Sequence, residues 1–262
     1  MASIEPWMDY CEFERFVRQT SRHILDDKNT KFLRAVLESS KKRRHCLARG
    51  HLLWRAQHGC EWSTENVYGE PMPVPYSAER MKPLSDRARE GRVNPKGIPF
   101  LYCSTDRDTA MSETRPWIGS RVTLAEVRLL RDLNVVDCSG KEEPVMFSAC
   151  LNSKEAEYDP LEDCLWKDID LAFAQPINRA DEDVAEYAPT QVLAEAFRIR
   201  GGYDGIVYSS KLGEGKTIAI FDLDAAEIGT REVHQVDAID VWFSPARVEI
   251  SWHRWEKRSF QR

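Results

Sequence analysis

From residue 51 onward the chain breaks into short runs, each rich in β-branched and aromatic residues and bounded by turn formers. They are HLLWRA (51–56), IPFLYC (98–103), RVTLAEVRLL (121–130), NVVDC (134–138), GIVYSS (205–210), TIAIFD (217–222), AIDVWF (238–243) and RVEISW (247–252). Too few helical patterns lie between them to build alternating βαβ units, so the texture predicts an α+β fold with a mainly antiparallel β core and flanking helices. Residues 60–97 hold eight of the 26 Pro and Gly residues and read as one long loop, a feature that in compact domains often carries function. A helix is expected over 189–200, with Pro189 in its first turn, Val192, Leu193, Ala196 and Phe197 on its inner face and Gly201-Gly202 as its stop. Upstream, residues 9–46 read as an N-terminal helical pair. Phe13, Phe16, Val17 and Ile24 form one apolar stripe, Phe32, Leu33, Val36 and Leu37 the other, and residues 26–30 the turn between them. The expected organisation is a helical appendage over 1–47 and a single catalytic-sized domain over 48–262.

Composition narrows the classes of function. A formal charge of −6 argues against broad nucleic-acid binding, and the basic run Lys41-Lys42-Arg43-Arg44-His45 reads as a solvated helix end. No stretch nears the roughly 18 continuous apolar residues of a membrane span, and the first residues lack signal-peptide architecture, so a cytoplasmic protein is expected. The seven cysteines include no Cys-x-x-Cys and the six histidines show no ligand spacing, so no metal is expected and the thiols read as reduced. The segment Gly213-Glu214-Gly215-Lys216-Thr217 lacks the leading glycine and the following helix of a phosphate loop and reads as a hairpin turn. With no Gly-x-Gly-x-x-Gly either, a Rossmann cofactor is not expected.

Arg92, Tyr102 and Glu113 stand ten and then eleven residues apart in GRVNPKGIPFLYCSTDRDTAMSETRPW. This spacing puts a cation on the loop, an aromatic hydroxyl on the following strand and a carboxylate on the next helix. That helix is expected to begin at 104–106, with Thr105 and Asp108 in capping-box spacing; Glu113 falls about two turns on, and Pro116 ends it. Taken singly, each has an ordinary structural reading: Glu113 as a surface carboxylate paired with Arg107 or Arg115, Tyr102 as a core aromatic, Ser210 as strand-end turn chemistry.

Together with PTQVLAEAFRIRGGYDGIVYSS at 189–210, these residues resemble the RES family over roughly residues 50–225. Arg92 matches the family's Gly-Arg arginine, with Val93 where the family has an aromatic. Tyr102 matches the strand tyrosine, Glu113 the helix glutamate and Arg55 an arginine of the first strand. The family serine falls in Tyr208-Ser209-Ser210, where register favours Ser210 over Ser209. Thr190 and Gln191 match a Thr-Gln pair that helix capping explains equally well. The resemblance implies a fold like that of ADP-ribosylating toxins and an NAD-consuming enzyme, a glycohydrolase or a phosphorylase with phosphate as acceptor. It further implies a toxin that depletes NAD and a helix-turn-helix antitoxin as partner. NAD is then substrate, not cofactor. A mono-ADP-ribosyltransferase and a catalytically inactive nucleotide- or partner-binding module are the alternatives left open, as is a homodimer formed through the N-terminal helices.

The resemblance also implies roles. Scission of the nicotinamide–ribose bond passes through an oxocarbenium-like state and releases a neutral base, so the need is for a carboxylate facing growing positive charge, the role implied for Glu113. Arg92 and Arg55 are the implied donors to the diphosphate, where guanidinium forks serve best. Tyr102 would stack on nicotinamide or orient the ribose, and Ser210 would hydrogen-bond the substrate or Glu113.

Overall fold

A computed structural model of the chain describes residues 9–64, 69–84, 88–140, 160–175 and 184–240. The expected strand at 247–252 and the end of that at 238–243 lie outside the described residues, and 238–240 carry no strand. The elements run α1 (Tyr10–Gln19), α2 (Asp27–Ser40), β1 (Arg44–Leu47), β2 (Leu52–His58), β3 (Glu61–Ser63), β4 (Met72–Val74), α3 (Ala78–Met81), β5 (Leu101–Ser104) and α4 (Arg107–Ser112). They continue with β6 (Arg121–Leu129), β7 (Leu133–Asp137), α5 (Pro160–Ala174), α6 (Ala188–Glu195), β8 (Gly205–Ser209), β9 (Lys216–Ile220) and β10 (Ala226–Gln235). Eight strands form one sheet in the order β1-β7-β8-β9-β5-β2-β6-β10, and β3 and β4 pair as a separate hairpin. Within the large sheet only β7 and β8 run parallel; every other neighbour is antiparallel. The fold is α+β and mainly antiparallel, as the strand texture predicts.

Strand alternation sends two apolar sets to opposite faces of this sheet. Ile206, Tyr208, Ala219 and Phe221 face α1, α2, α5 and α6, burying Phe13, Phe32, Trp166, Phe173 and Phe197 in one cluster. Leu53, Leu101, Cys103, Val127, Ile218 and Ile220 form the second. Tyr102 packs on the first cluster between Leu101 and Cys103, which belong to the second. Only one backbone pair, Trp54↔Ser104, joins β2 to β5. The sheet therefore has a seam between β9-β5 on one side and β2-β6-β10 on the other.

Several expectations need correction. The division at residue 47 does not separate two cores, because α1 and α2 share the first cluster with the sheet and β1 is its edge strand. Ile24 lies beyond α1 and is 79% exposed, so it is no part of the stripe. Asp26 is not in a turn but caps α2, its carboxylate accepting from Asn29 N at 2.8 Å. The basic run begins as the expected helix end, with Lys41 capping α2 and Lys41–Arg43 forming a 3-10 turn, and its last two residues, Arg44 and His45, open β1. Its cations are engaged within the molecule, Arg43 lying over the Trp166 ring at 4.7 Å and Arg44 over Tyr203 at 5.5 Å. The 60–97 loop contains the β3–β4 hairpin and α3. The expected helix at 189–200 is α6 continued by a π-helical turn, Ala196–Arg200, before Gly202 takes φ +66°. Helix α5, which buries Leu165, Trp166, Ile169 and Phe173, and strand β10 were not anticipated.

Because Phe13 is 1% exposed and stacks on Phe32 at 4.8 Å inside the shared core, Phe13→Ala should destabilise the whole protein by about 3–5 kcal/mol. Chemical denaturation should then show one transition; a separate early transition confined to the N-terminal helices would restore the appendage.

Candidate active site

Helix α4 carries Glu113 as its C-terminal cap and is held in place by the turn between β8 and β9. Asp106 caps the helix by accepting from Thr109 N at 2.8 Å, so the cap comes two residues after Ser104, which ends β5, and the helix starts at Arg107. Thr109 Oγ1 in turn accepts from Gly215 N at 2.9 Å. A Cβ at Gly215 would sit 1.7 Å from Asp106 Oδ2, so only glycine lets the hairpin approach this closely. The Gly213–Thr217 segment is therefore a hairpin turn, and its function is to seat α4.

With α4 seated, Ser210 Oγ donates to Glu113 Oε1 at 2.6 Å, and Thr217 Oγ1 approaches the same oxygen at 3.5 Å. This selects between the two serines. Ser209 instead donates through N and Oγ to Asp170 of α5, at 2.8 and 2.7 Å. Buried Tyr208 feels the charge of both Arg92 and Glu113. Burial pushes its phenol well above the ordinary range; the neighbouring Tyr102 and Glu113 add to this, while Arg92 opposes it. Tyr208 was missed from the sequence, although it precedes Ser210 by two and shares its side of the strand.

Arg92 sits on a loop knitted to its surroundings. Tyr102 donates its hydroxyl to Asn94 Oδ1 at 2.7 Å and accepts from Val93 N at 3.1 Å. Thr190 Oγ1 donates to Arg92 O at 2.6 Å, and Gln191 Nε2 donates to Gly91 O at 2.9 Å and Asn94 O at 3.2 Å. The Thr-Gln pair is thus chiefly a loop clamp. Val93, fully buried in the first cluster, anchors the same loop. The Arg92 side chain donates to Phe173 O at 2.5 Å and lines a cavity of about 380 Å³ with Tyr187 and Thr190. Tyr10, Cys11, Glu14 and Arg18 of α1 also line it. Burial raises the Tyr102 phenol above its ordinary range, so it stays protonated and donating at neutral pH.

Arg55 does not join this group. It shares its side of β2 with Leu53 of the second cluster, while Tyr102 packs against the first. Its Nε donates to Met81 O at 2.5 Å and its Nη1 to Tyr102 O at 2.8 Å. Burial pulls the guanidinium below its ordinary pKa. Arg55 ties β5 to β2 across the seam from the rear face. Of the residues expected at the site, Ser210 and Glu113 are joined directly, Tyr102 holds the loop of Arg92, and the cavity that Arg92 lines is not lined by Glu113 or Ser210.

Tyr102→Phe leaves Val93 N–H and Asn94 Oδ1 without their partner and should lower stability by about 1–3 kcal/mol, with faster amide exchange at Val93 as the local signature. Unchanged exchange there would show that the loop is held without the hydroxyl.

A family model described as the RES domain matches residues 52–244. No curated protein matches the chain. Among solved structures, the M. tuberculosis MbcT-MbcA toxin-antitoxin complex contains a chain with 12% identity and a TM-score of 0.38, the match covering 76% of this chain and 92% of that one. The model's span takes in β2 through β10, and with it the loop of Arg92, the strand of Tyr102, the cap at Glu113 and the end of β8: the chain belongs to the RES domain family.

Proposed function

We propose that the protein is an NAD-consuming enzyme that cleaves the nicotinamide–ribose bond, as a glycohydrolase or, with phosphate as acceptor, a phosphorylase. The observation that carries this reading is the Glu113 carboxylate held by Ser210 beside Tyr208, which also feels the charge of Arg92. The nicotinamide leaves as a neutral base, so no strong acid is required at the leaving group. As the bond lengthens, positive charge grows on the ribose, and a carboxylate fixed in advance stabilises it without reorganising. The Ser210 hydroxyl orients one carboxylate oxygen, leaving the other to face the ribose. Arg92, its loop clamped by Tyr102, Thr190 and Gln191, supplies the cation for the diphosphate, and Tyr102 contributes by fixing that loop. NAD is consumed and no cofactor takes part.

Within this reading the protein acts in the cytoplasm as a toxin that depletes NAD, restrained by a protein antitoxin of the helix-turn-helix class that family membership leads us to expect. Co-expression with such an antitoxin should restore growth. Glu113→Gln preserves size and the Ser210 hydrogen bond but removes the charge. Nicotinamide release at saturating NAD should fall by about 10² to 10³, with folding and NAD affinity retained. Running the assay with and without phosphate separates phosphorylase from glycohydrolase, and label transfer to protein would reveal an ADP-ribosyltransferase. Equal rates in two equally folded proteins would remove Glu113 from the chemistry.

A further inference from the structure

The turn that follows Glu113 is strained. Glu113 N donates to Thr109 O at 3.0 Å as the cap of α4, and Thr114 N and Oγ1 then both bond to Met111 O, at 3.1 and 2.7 Å. Arg115 comes next with φ +50°, among the described residues the one non-glycine in the left-handed region. A side chain there crowds its own backbone, so such a residue keeps that conformation only where its surroundings impose it.

One side chain meets this turn twice. His58 is the last residue of β2, where the ladder with β6 fixes it opposite Val122. Its Nε2 is hydrogen-bonded to the carbonyl oxygen of Thr114, and its ring stacks on Trp117 at 5.0 Å with an interplanar angle of 27°. A carbonyl only accepts, so Nε2 carries the proton and the neutral ring leaves Nδ1 as a lone pair. That Nδ1 is buried and has no hydrogen-bond partner among the described residues, a cost with no return in stability. Phenylalanine would keep the stack and glutamine the donor, but the imidazole supplies both from one flat ring.

We propose that His58 is a positioning residue for Glu113: by gripping the Thr114 carbonyl and bracing Trp117, it keeps Arg115 left-handed and fixes the end of α4 from which the carboxylate reaches Ser210. Ser210 Oγ holds the Glu113 carboxylate at 2.6 Å, and His58 holds the backbone one residue on, so both ends of the side chain are fixed. Without the grip the strain releases as Arg115 returns to negative φ, and the backbone that carries Glu113 turns with it. His58 itself touches no ligand. The consequence for turnover rests on the NAD reading above; the consequence for geometry does not.

The test compares the full-length wild type with His58→Phe, which keeps the stack and loses the donor, and His58→Gln, which keeps the donor. Thermal shift controls for folding, and His58→Leu, smaller than the ring, replaces the Phe variant if that one does not fold. Amide exchange at Thr114 and Arg115 should quicken about tenfold in His58→Phe, the scale of one lost hydrogen bond, while the core amides of β6 exchange as in wild type. In crystals of the same variant the contact between Ser210 Oγ and Glu113 Oε1 should open. Nicotinamide release should fall about 10- to 100-fold in kcat with KM nearly unchanged, the mark of a displaced catalytic group. His58→Gln should restore all three. Wild-type exchange at residues 114–115, an unmoved Glu113 or an undiminished kcat in a folded His58→Phe overturns the proposal, as does a Gln variant no better than the Phe variant. A wild type that releases no nicotinamide refutes the catalytic reading alone, since the exchange and the Ser210 contact are read without turnover.

Discussion

The way β2 meets β5 governs the rest of the molecule. Where the neighbouring strands form ladders of three or more pairs, these two share Trp54↔Ser104 alone. An open edge inside a sheet leaves backbone groups unpaired, and such groups do not stay buried without partners. Arg55 answers from the rear face by donating to the Tyr102 carbonyl, and its second bond, to Met81 O, fastens α3 over the same place. On the front, α4 lies across the seam with the Arg107 guanidinium over the Trp54 ring at 4.8 Å. A charge in the middle of a sheet would ordinarily be a liability; here a planar fork spans a gap that no backbone ladder fills.

Splaying the sheet creates the room in front, and the polar framework around it is complete before any ligand arrives. Asn94 Nδ2 alone binds the carbonyls of Arg89, Pro95 and Ile98, in addition to the contacts from Tyr102 and Gln191. A catalytic carboxylate is effective to the extent that its surroundings need not rearrange when charge appears. Here the loop, the helix and the strand end that meet at the site are each fixed by at least two hydrogen bonds. Side-chain rotation away from Phe173 O is the adjustment that would free the Arg92 guanidinium for a ligand.

Much of this was legible in the amino-acid pattern. Apolar runs such as TIAIFD and IPFLYC announce strands because their residues pack on both faces of a sheet, and the helix over 189–200 is marked at both ends by Pro189 and Gly202. Strand β10, AEIGTREVHQ, was hidden because edge position leaves one side free and admits Glu227, Arg231 and Glu232, so the alternation is diluted by charge. Helix α5 carries ordinary helix signals that went unread, with Pro160 at its start, Glu162 and Asp163 in its first turn, and Leu165, Trp166, Ile169 and Phe173 at helical spacing. At the site, the types and spacing of Arg92, Tyr102 and Glu113 pointed to one cluster. The exclusion of Arg55 depended on which face β2 turns toward β5, and that is a property of pairing, invisible in either strand alone.

The end of β8 has a further consequence. This strand reads Gly-Ile-Val-Tyr-Ser with its first four residues buried, so apolar alternation does not tell the chain which side should face which layer. The instruction comes from two successive hydroxyls, each matched to a carboxylate on a different helix: Ser209 to Asp170 and Ser210 to Glu113. Slipping the strand by one residue would turn its side chains to the opposite faces and break both pairings at once. The two adjacent serines therefore tie the register of β8 to the positions of α5 and α4 together.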